Sequence, residues 1–164
     1  MLLTYLKYPA VFAASGAVCG LVLAVMGWCA GRCGLLDRPR GRHIHAEPIP
    51  KIGGLAIFAG FLAGAALLLL VPWGGTKGSL DWRWACNFTA IGGLYLLLGV
   101  VDDRVELKPL TKLAGQVLIA GIAYLLDVRF GKFLGRPVPL GLDLVVTVVW
   151  FVAFVNAFNL IDGM

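Results

Sequence analysis

The sequence predicts an all-α integral membrane protein of about five transmembrane helices, with a short extracytoplasmic hairpin between the fourth and fifth. Three observations carry that expectation. Hydrophobic residues make up 60% of the 164 and charged residues only 14%, where soluble domains carry roughly 25% charge. The mean hydropathy is +0.88. The apolar residues are gathered into five stretches free of Asp, Glu, Lys and Arg, at residues 8–31, 52–76, 84–101, 113–126 and 144–161. Continuous apolar stretches of this kind suit segments that cross a bilayer. Residues 1–164 read as a single membrane domain.

The first stretch is as long as a full span and ends without a small-x-small cleavage site. It is therefore expected to remain as a helix and not to be removed as a signal peptide. The second opens on Gly53-Gly54. Pairs of glycines at helical spacing, Gly16 with Gly20, Gly27 with Gly31 and Gly60 with Gly64, suit close helix packing in lipid. The third runs into Asp102-Asp103. The fourth is short of the roughly 20 residues that a span needs. It reaches that length if Lys112 snorkels at one end and Asp127 marks the other boundary.

Between the fourth and fifth stretches, residues 128–142 read as a hairpin turning at Gly131-Lys132. Pro137 and Pro139 limit its second strand to an edge or an extended arm. The fifth stretch ends in Asn156, Asn159 and Asp162. Cys19, Cys29, Cys33 and Cys86 show neither zinc spacing nor a Cys-x-x-Cys pair, and are read as reduced packing residues.

Basic residues give the orientation. One set of loops holds Arg32, Arg38, Arg40, Arg42 and Lys51, then Arg104, Lys108 and Lys112. The other holds Lys7, Lys77, Arg83, Arg129, Lys132 and Arg136. The compact first cluster places loops one and three in the cytoplasm and the N-terminus outside. Asp37, His45, Asp102, Asp103 and Asp162 then share one membrane face. The net charge of +5 fits loops that meet anionic lipid and an anionic substrate. No basic stretch interleaved with aromatics is present, which excludes a single-stranded nucleic-acid binder.

Two side-by-side carboxylates at a membrane boundary repel each other unless a cation compensates them. Magnesium suits the position, since it takes carboxylate oxygens and leaves sites for phosphate. The bland alternative is that Asp102 and Asp103 cap a helix in water. The first basic loop is held extended by Pro39, Pro48 and Pro50. Its arginines suit a phosphate, although setting topology also accounts for them. His43 and His45 could titrate near neutrality, or be solvated loop residues. Asn156, Asn159 and Asp162, each three apart, form a polar stripe on an apolar helix. Buried amides in a membrane ordinarily hydrogen-bond between helices.

Together these residues resemble one family. Asp37-x-Pro39-x-x-Arg42-x-x-His45-x-x-Pro48-Ile49-Pro50-Lys51-x-Gly53-Gly54, Gly99-x-x-Asp102-Asp103, and Asn156-x-x-Asn159-Leu160-Ile161-Asp162-Gly163 are similar to the polyprenyl-phosphate N-acetylhexosamine-1-phosphate transferases. Lys112 and Gln116 also fit its pattern after the acidic pair. The first loop is closer to the N-acetylglucosamine-1-phosphate branch than to the muramoyl-pentapeptide branch. His43 stands where that branch commonly has Lys, and Lys51 where it often has Arg, which keeps charge but loses the guanidinium fork.

The resemblance implies an enzyme of the inner, cytoplasmic membrane. It would transfer a sugar-1-phosphate from a UDP-sugar to polyprenyl phosphate, releasing UMP, in cell-wall or surface-glycan synthesis. It implies magnesium, with manganese as the alternative, held by Asp103 and Asp162. Asp102 and Asp103 would be catalytic. Arg42, His45, Lys51, Lys112, Asn156 and Asn159 would contact substrate. Membrane lipid is a partner, nucleic acid is not, and a homo-oligomer stays open.

Family members have about twice as many spans and a second Asp just beyond Met164. The chain is therefore expected to be the N-terminal half of a longer transferase, inactive alone. Two other readings stand beside this one: a truncated, non-catalytic remnant, and an enzyme like the CDP-alcohol phosphotransferases.

Overall fold

A computed structural model describes residues 2–33, 36–37, 49–50, 53–71, 73 and 81–162. The chain forms two compact units, Met1–Leu80 and Asp81–Met164. In order, the elements are α1 (Leu2–Cys33), β1 (Leu36–Asp37), β2 (Ile49–Pro50), α2 (Gly53–Leu70), α3 (Trp82–Val105), α4 (Pro109–Leu125), β3 (Lys132–Phe133), β4 (Arg136–Pro137) and α5 (Leu140–Asp162). Each of the five apolar stretches contains or lies along one of the five described helices. Four of the helices are long and apolar enough to cross a membrane, and Pro109–Leu125 is a shorter apolar helix.

In the first unit α1 packs along α2. The contact is made by the small side of α2: Ala56, Gly60 and Gly64 are buried at successive turns. A Cβ at Gly60 would lie 2.7 Å from the Ser15 carbonyl oxygen, and one at Gly64 would collide with Ser15 Oγ. Backbones this close need glycine. Of the three expected glycine pairs, only Gly60 with Gly64 does this among the described residues. Gly16, Gly20 and Gly27 of α1 face open space, with nothing within 4 Å of an added Cβ. α2 stops at Leu70, well before the apolar stretch does, because Pro72 cannot continue the helix and disfavours it at the residue before. The Leu67 carbonyl keeps its helical bond from the Val71 N–H and also accepts from the Trp73 indole, each at 3.2 Å. β1 and β2 pair antiparallel, Leu36 with Pro50 and Asp37 with Ile49, so the two ends of the proline-rich loop are held together.

The second unit is an up-down-up arrangement of α3, α4 and α5. α3 starts where Asp81 caps it, its carboxylate accepting from the Trp84 N–H at 3.0 Å. α4 starts at Pro109, with Lys108 extended at the cap and proline in the first turn. That is one turn earlier than the charge-free stretch. Lys112 therefore sits in the first turn of the helix, and it pairs with Asp102.

α4 ends in a Schellman motif. Asp127 takes the left-handed conformation at φ 60°. The Val128 N–H returns to Ala123 O at 2.9 Å and the Asp127 N–H to Tyr124 O at 3.2 Å. Val128 and Ala123 are both buried in the apolar cluster with Ile91 and Ile119.

The hairpin exists, but its turn is not at Gly131-Lys132. Lys132 pairs with Pro137 and Phe133 with Arg136, so Leu134 and Gly135 form the turn, both with positive φ (49° and 78°). Positive φ at both central positions is the type I′ signature, whose twist matches that of the strands. Gly131, also at positive φ, instead bends the chain into β3.

Burial is inverted relative to a soluble domain. Gln116, Asp143 and Thr147 are at most 2% exposed, while Leu110 and Phe12 are more than 80% exposed. Such a surface belongs in lipid.

Candidate active site

α3, α4 and α5 run alternately, so the C-terminal ends of α3 and α5 and the start of α4 lie at one end of the second unit. Two contacts fix this. Asn156, near the end of α5, meets Gln116 in the first half of α4. At the other end, Tyr124 OH donates to Leu140 O at 3.2 Å. The Asp102-Asp103 pair and the Asn156–Asp162 stripe are therefore brought to the same end.

Asp102 organises this end. Its Oδ2 lies 2.7 Å from Lys112 Nζ, and its Oδ1 accepts the Leu107 N–H at 3.2 Å. Its own carbonyl accepts from Glu106, which turns the chain at φ 51°. Asp102 thus ties the last turn of α3 to the α3–α4 connection and to the first turn of α4. This is not N-capping. The pair sits at a helix C-terminus, where the dipole disfavours carboxylates, so the lysine offsets an otherwise unfavourable placement. Asp103, one residue on, is exposed.

One turn further along α4, Gln116 is buried and joins three helices. Its carbonyl accepts from Tyr95 OH of α3 at 3.0 Å. Its Oε1 accepts from Asn156 Nδ2 of α5 at 2.7 Å. The Tyr95 ring stacks on Phe151 with centroids 5.8 Å apart. Gln116 Nε2 is buried without a hydrogen-bond partner among the described residues. Asn156 therefore makes the interhelical bond that a membrane amide ordinarily makes, and it also donates to Val152 O at 2.8 Å. Asn159 is exposed.

Asp162 ends α5, and its side chain lies outside the described residues, as do Arg42, His43, His45 and Lys51. Among the described residues no three His, Cys, Asp or Glu side chains converge as a metal site would. Both oxygens of Asp102 already have donors, so a cation there would compete with Lys112. Asp103 and Glu106 are the other described acidic residues at this end, and the backbone of Asp162 ends α5 there.

The opposite end carries a polar cluster that the sequence reading did not single out. Asp143 accepts the Gly131 N–H at 2.8 Å, and Thr147, one turn on, accepts the Phe130 N–H at 3.1 Å. Arg129 pairs with Asp127 at 2.9 Å and approaches Asp143 at 3.6 Å. The Tyr124 hydroxyl, and then these carboxylates against some desolvation, hold the guanidinium pKa above its ordinary value. The available signal was Asp143 and Thr147 four apart at the head of an apolar helix.

Residues 84–164 match Glycosyl transferase family 4. The chain is 31% identical to the decaprenyl-phosphate N-acetylglucosaminephosphotransferase of Mycolicibacterium smegmatis, over 90% of this chain and 40% of that protein. It is 31% identical to the enzyme of that name from Mycobacterium tuberculosis, over 82% of this chain and 35% of that one. It is 29% identical to the undecaprenyl-phosphate alpha-N-acetylglucosaminyl 1-phosphate transferase of Escherichia coli K12, over 82% of this chain and 36% of that one. The chain thus spans 40% or less of the length of these relatives. No solved structure matches it. By these matches residues 84–164 resemble glycosyl transferase family 4, and the chain is similar to proteins named as polyprenyl-phosphate N-acetylglucosamine-1-phosphate transferases.

Proposed function

We propose that this chain carries part of the site that moves N-acetylglucosamine-1-phosphate from a UDP-sugar to a polyprenyl phosphate, with release of UMP. The observation that supports this most is the Asp102–Lys112 pair, 2.7 Å apart. It lies at the end of the second unit toward which Asn159 and Asp162 also point along α5. Two anions must approach each other in this reaction, so the site needs positive charge placed before they meet. Lys112 is held for that by Asp102. When the lipid phosphate arrives, Lys112 turns its ammonium to it, and Asp102 then orients the phosphate or takes its proton. A magnesium ion on Asp103 and Asp162 would supply further neutralisation of the diphosphate. Asn159 is placed for the nucleotide, and Arg42, His45 and Lys51 are candidates for phosphate contact. We place this end on the cytoplasmic side, following the basic residues.

The test is UMP release from membranes expressing the gene that encodes this chain, supplied with undecaprenyl phosphate, UDP-N-acetylglucosamine and magnesium. Release that disappears in Asp102→Asn and needs the divalent ion supports the proposal. Unchanged release in Asp102→Asn, Asp103→Asn and Asp162→Asn returns the carboxylates to a structural role. Sidedness is read by cysteine labelling, with residue 40 expected inside and residue 134 outside.

A further inference from the structure

The β3–β4 hairpin joins α5, which is long and apolar enough to cross a membrane, to α4, a short apolar helix. Seventeen residues at 1.5 Å each make a helix about 25 Å long, less than the roughly 30 Å of bilayer hydrocarbon. The Tyr124–Leu140 hydrogen bond ties the end of α4 to the start of α5, so both legs of the hairpin leave their helices at one level. In a chain whose helices cross a bilayer, that level is expected near the boundary between acyl chains and headgroups.

The backbone there is arranged as if water were scarce. The N–H groups of Asp127 and Val128 are taken by the Schellman motif, and that of Val138 by Gly131 O at 3.1 Å. Those of Phe130 and Gly131 are taken by Thr147 and Asp143, side chains reaching up from buried positions on α5. Non-helical backbone at membrane depth needs this kind of internal satisfaction, because lipid supplies none. A hairpin standing clear in water would not need it.

The tip is apolar where a solvated turn would be polar. Leu134 occupies the first left-handed position, which type I′ turns usually give to Asn, Asp or Gly. It is 88% exposed, and Phe133 beside it is 61% exposed. Lys132 and Arg136 flank them, exposed, and neither has a carboxylate partner among the described residues. The cation that does have partners, Arg129, lies nearer the base. An apolar tip between two unneutralised cations is complementary to one surface, acyl chain below and phosphate above.

We propose that the hairpin is a membrane-interface anchor. Phe133 and Leu134 enter the upper acyl region of the bilayer, and Lys132 and Arg136 bind phospholipid phosphates. The Asp143–Thr147 cluster is the buried base that holds the hairpin at this depth.

The test uses the whole chain with its four cysteines replaced by serine or alanine. A single cysteine at Leu134, and separately at Phe133, carries an environment-sensitive dye. The labelled protein is placed in phosphatidylcholine–phosphatidylglycerol vesicles. The expected result is a blue-shifted emission, lost when the vesicles contain lipid brominated high on the acyl chains and insensitive to aqueous iodide. Changing Lys132 and Arg136 to glutamine should reduce the bromolipid quenching. Quenching by iodide at both positions would show a solvated loop and overturn the proposal. Protection from both quenchers would show that protein, a second copy or another partner, covers the tip, and would overturn it equally.

Discussion

Asn156 and Gln116 share one hydrogen bond between α5 and α4, Nδ2 to Oε1 at 2.7 Å. Its direction is fixed, because Asn156 Nδ2 also donates to the Val152 carbonyl at 2.8 Å. Gln116 must therefore present its oxygen to Asn156 and turn its buried NH₂ away from it, where that nitrogen has no partner among the described residues. A buried amide donor without an acceptor costs about 1–3 kcal/mol.

Replacing Gln116 by leucine removes both the bond and the unpartnered NH₂. The Asn156 NH₂ still has Val152, so the change is expected to be neutral or stabilising. Asn156→Leu leaves the Gln116 side-chain amide without its bond to α5 and should destabilise by about 0.6 kcal/mol or more, the usual worth of an interhelical bond in a membrane protein. Thermal unfolding in detergent gives the order. Gln116→Leu less stable than Asn156→Leu would mean that the amide nitrogen has a partner.

The α1–α2 contact allows a sharper test, since Gly60 meets a backbone atom and Gly64 a side-chain atom of the same residue, Ser15. Gly60→Ala and Gly64→Ala should each cost about 1–3 kcal/mol, as overpacking does. Ser15→Ala should recover much of the loss in Gly64→Ala and little in Gly60→Ala, because it removes Oγ and leaves the carbonyl. Gly16→Ala and Gly20→Ala should be harmless. Equal rescue of both variants would show that the helices separate as rigid bodies.

Asp102 has two roles that substitutions can separate. Asn keeps the acceptor for the Leu107 N–H and loses the charge that holds Lys112. Ala loses both. Stability should fall from wild type to Asp102→Asn to Asp102→Ala, with the second step about 1 kcal/mol, as for a lost cap. If the proposed function is right, activity falls by about 10²–10⁴-fold at the first step. An activity loss confined to the alanine variant would make Asp102 a structural residue only.

At the hairpin, Thr147→Val preserves shape and removes the acceptor for the Phe130 N–H. The stranded donor should cost about 1–3 kcal/mol and speed amide exchange at Phe130 and Gly131 while α3 and α4 stay protected. Exchange that rises throughout the unit would show that the hairpin base is part of the global core.

The helices were legible because lipid-facing segments need only length and the absence of charge, and both are visible residue by residue. What misled was charge that is neutralised in three dimensions. Lys112 broke the fourth stretch in the sequence, yet Asp102 accommodates it within the helix. The turn was misplaced because Gly131 is the usual mark of a reversal, whereas here Leu134 takes the left-handed position. At the candidate site, Asp102, Asp103 and the asparagine stripe could be named from their spacing. The structural work of Asp102 could not, since the Leu107 N–H that it accepts is present at every residue and has no signature. Asp143 and Thr147 were passed over for a similar reason: two small polar residues in an apolar helix become meaningful only when their backbone partners are known.

The second unit has sides of unequal height. α3 and α5 have 24 and 23 residues, and α4 has 17, with Leu110, Leu118 and Leu125 exposed along its length. Where α4 crosses a bilayer, the bordering lipids are expected to compress or the unit to lean, at a cost of a fraction of a kcal/mol per Å of mismatch. The fold is therefore expected to do work on the bilayer. Shorter acyl chains relieve the strain around α4 and longer ones increase it, so the protein is expected to gather where its membrane is thinnest.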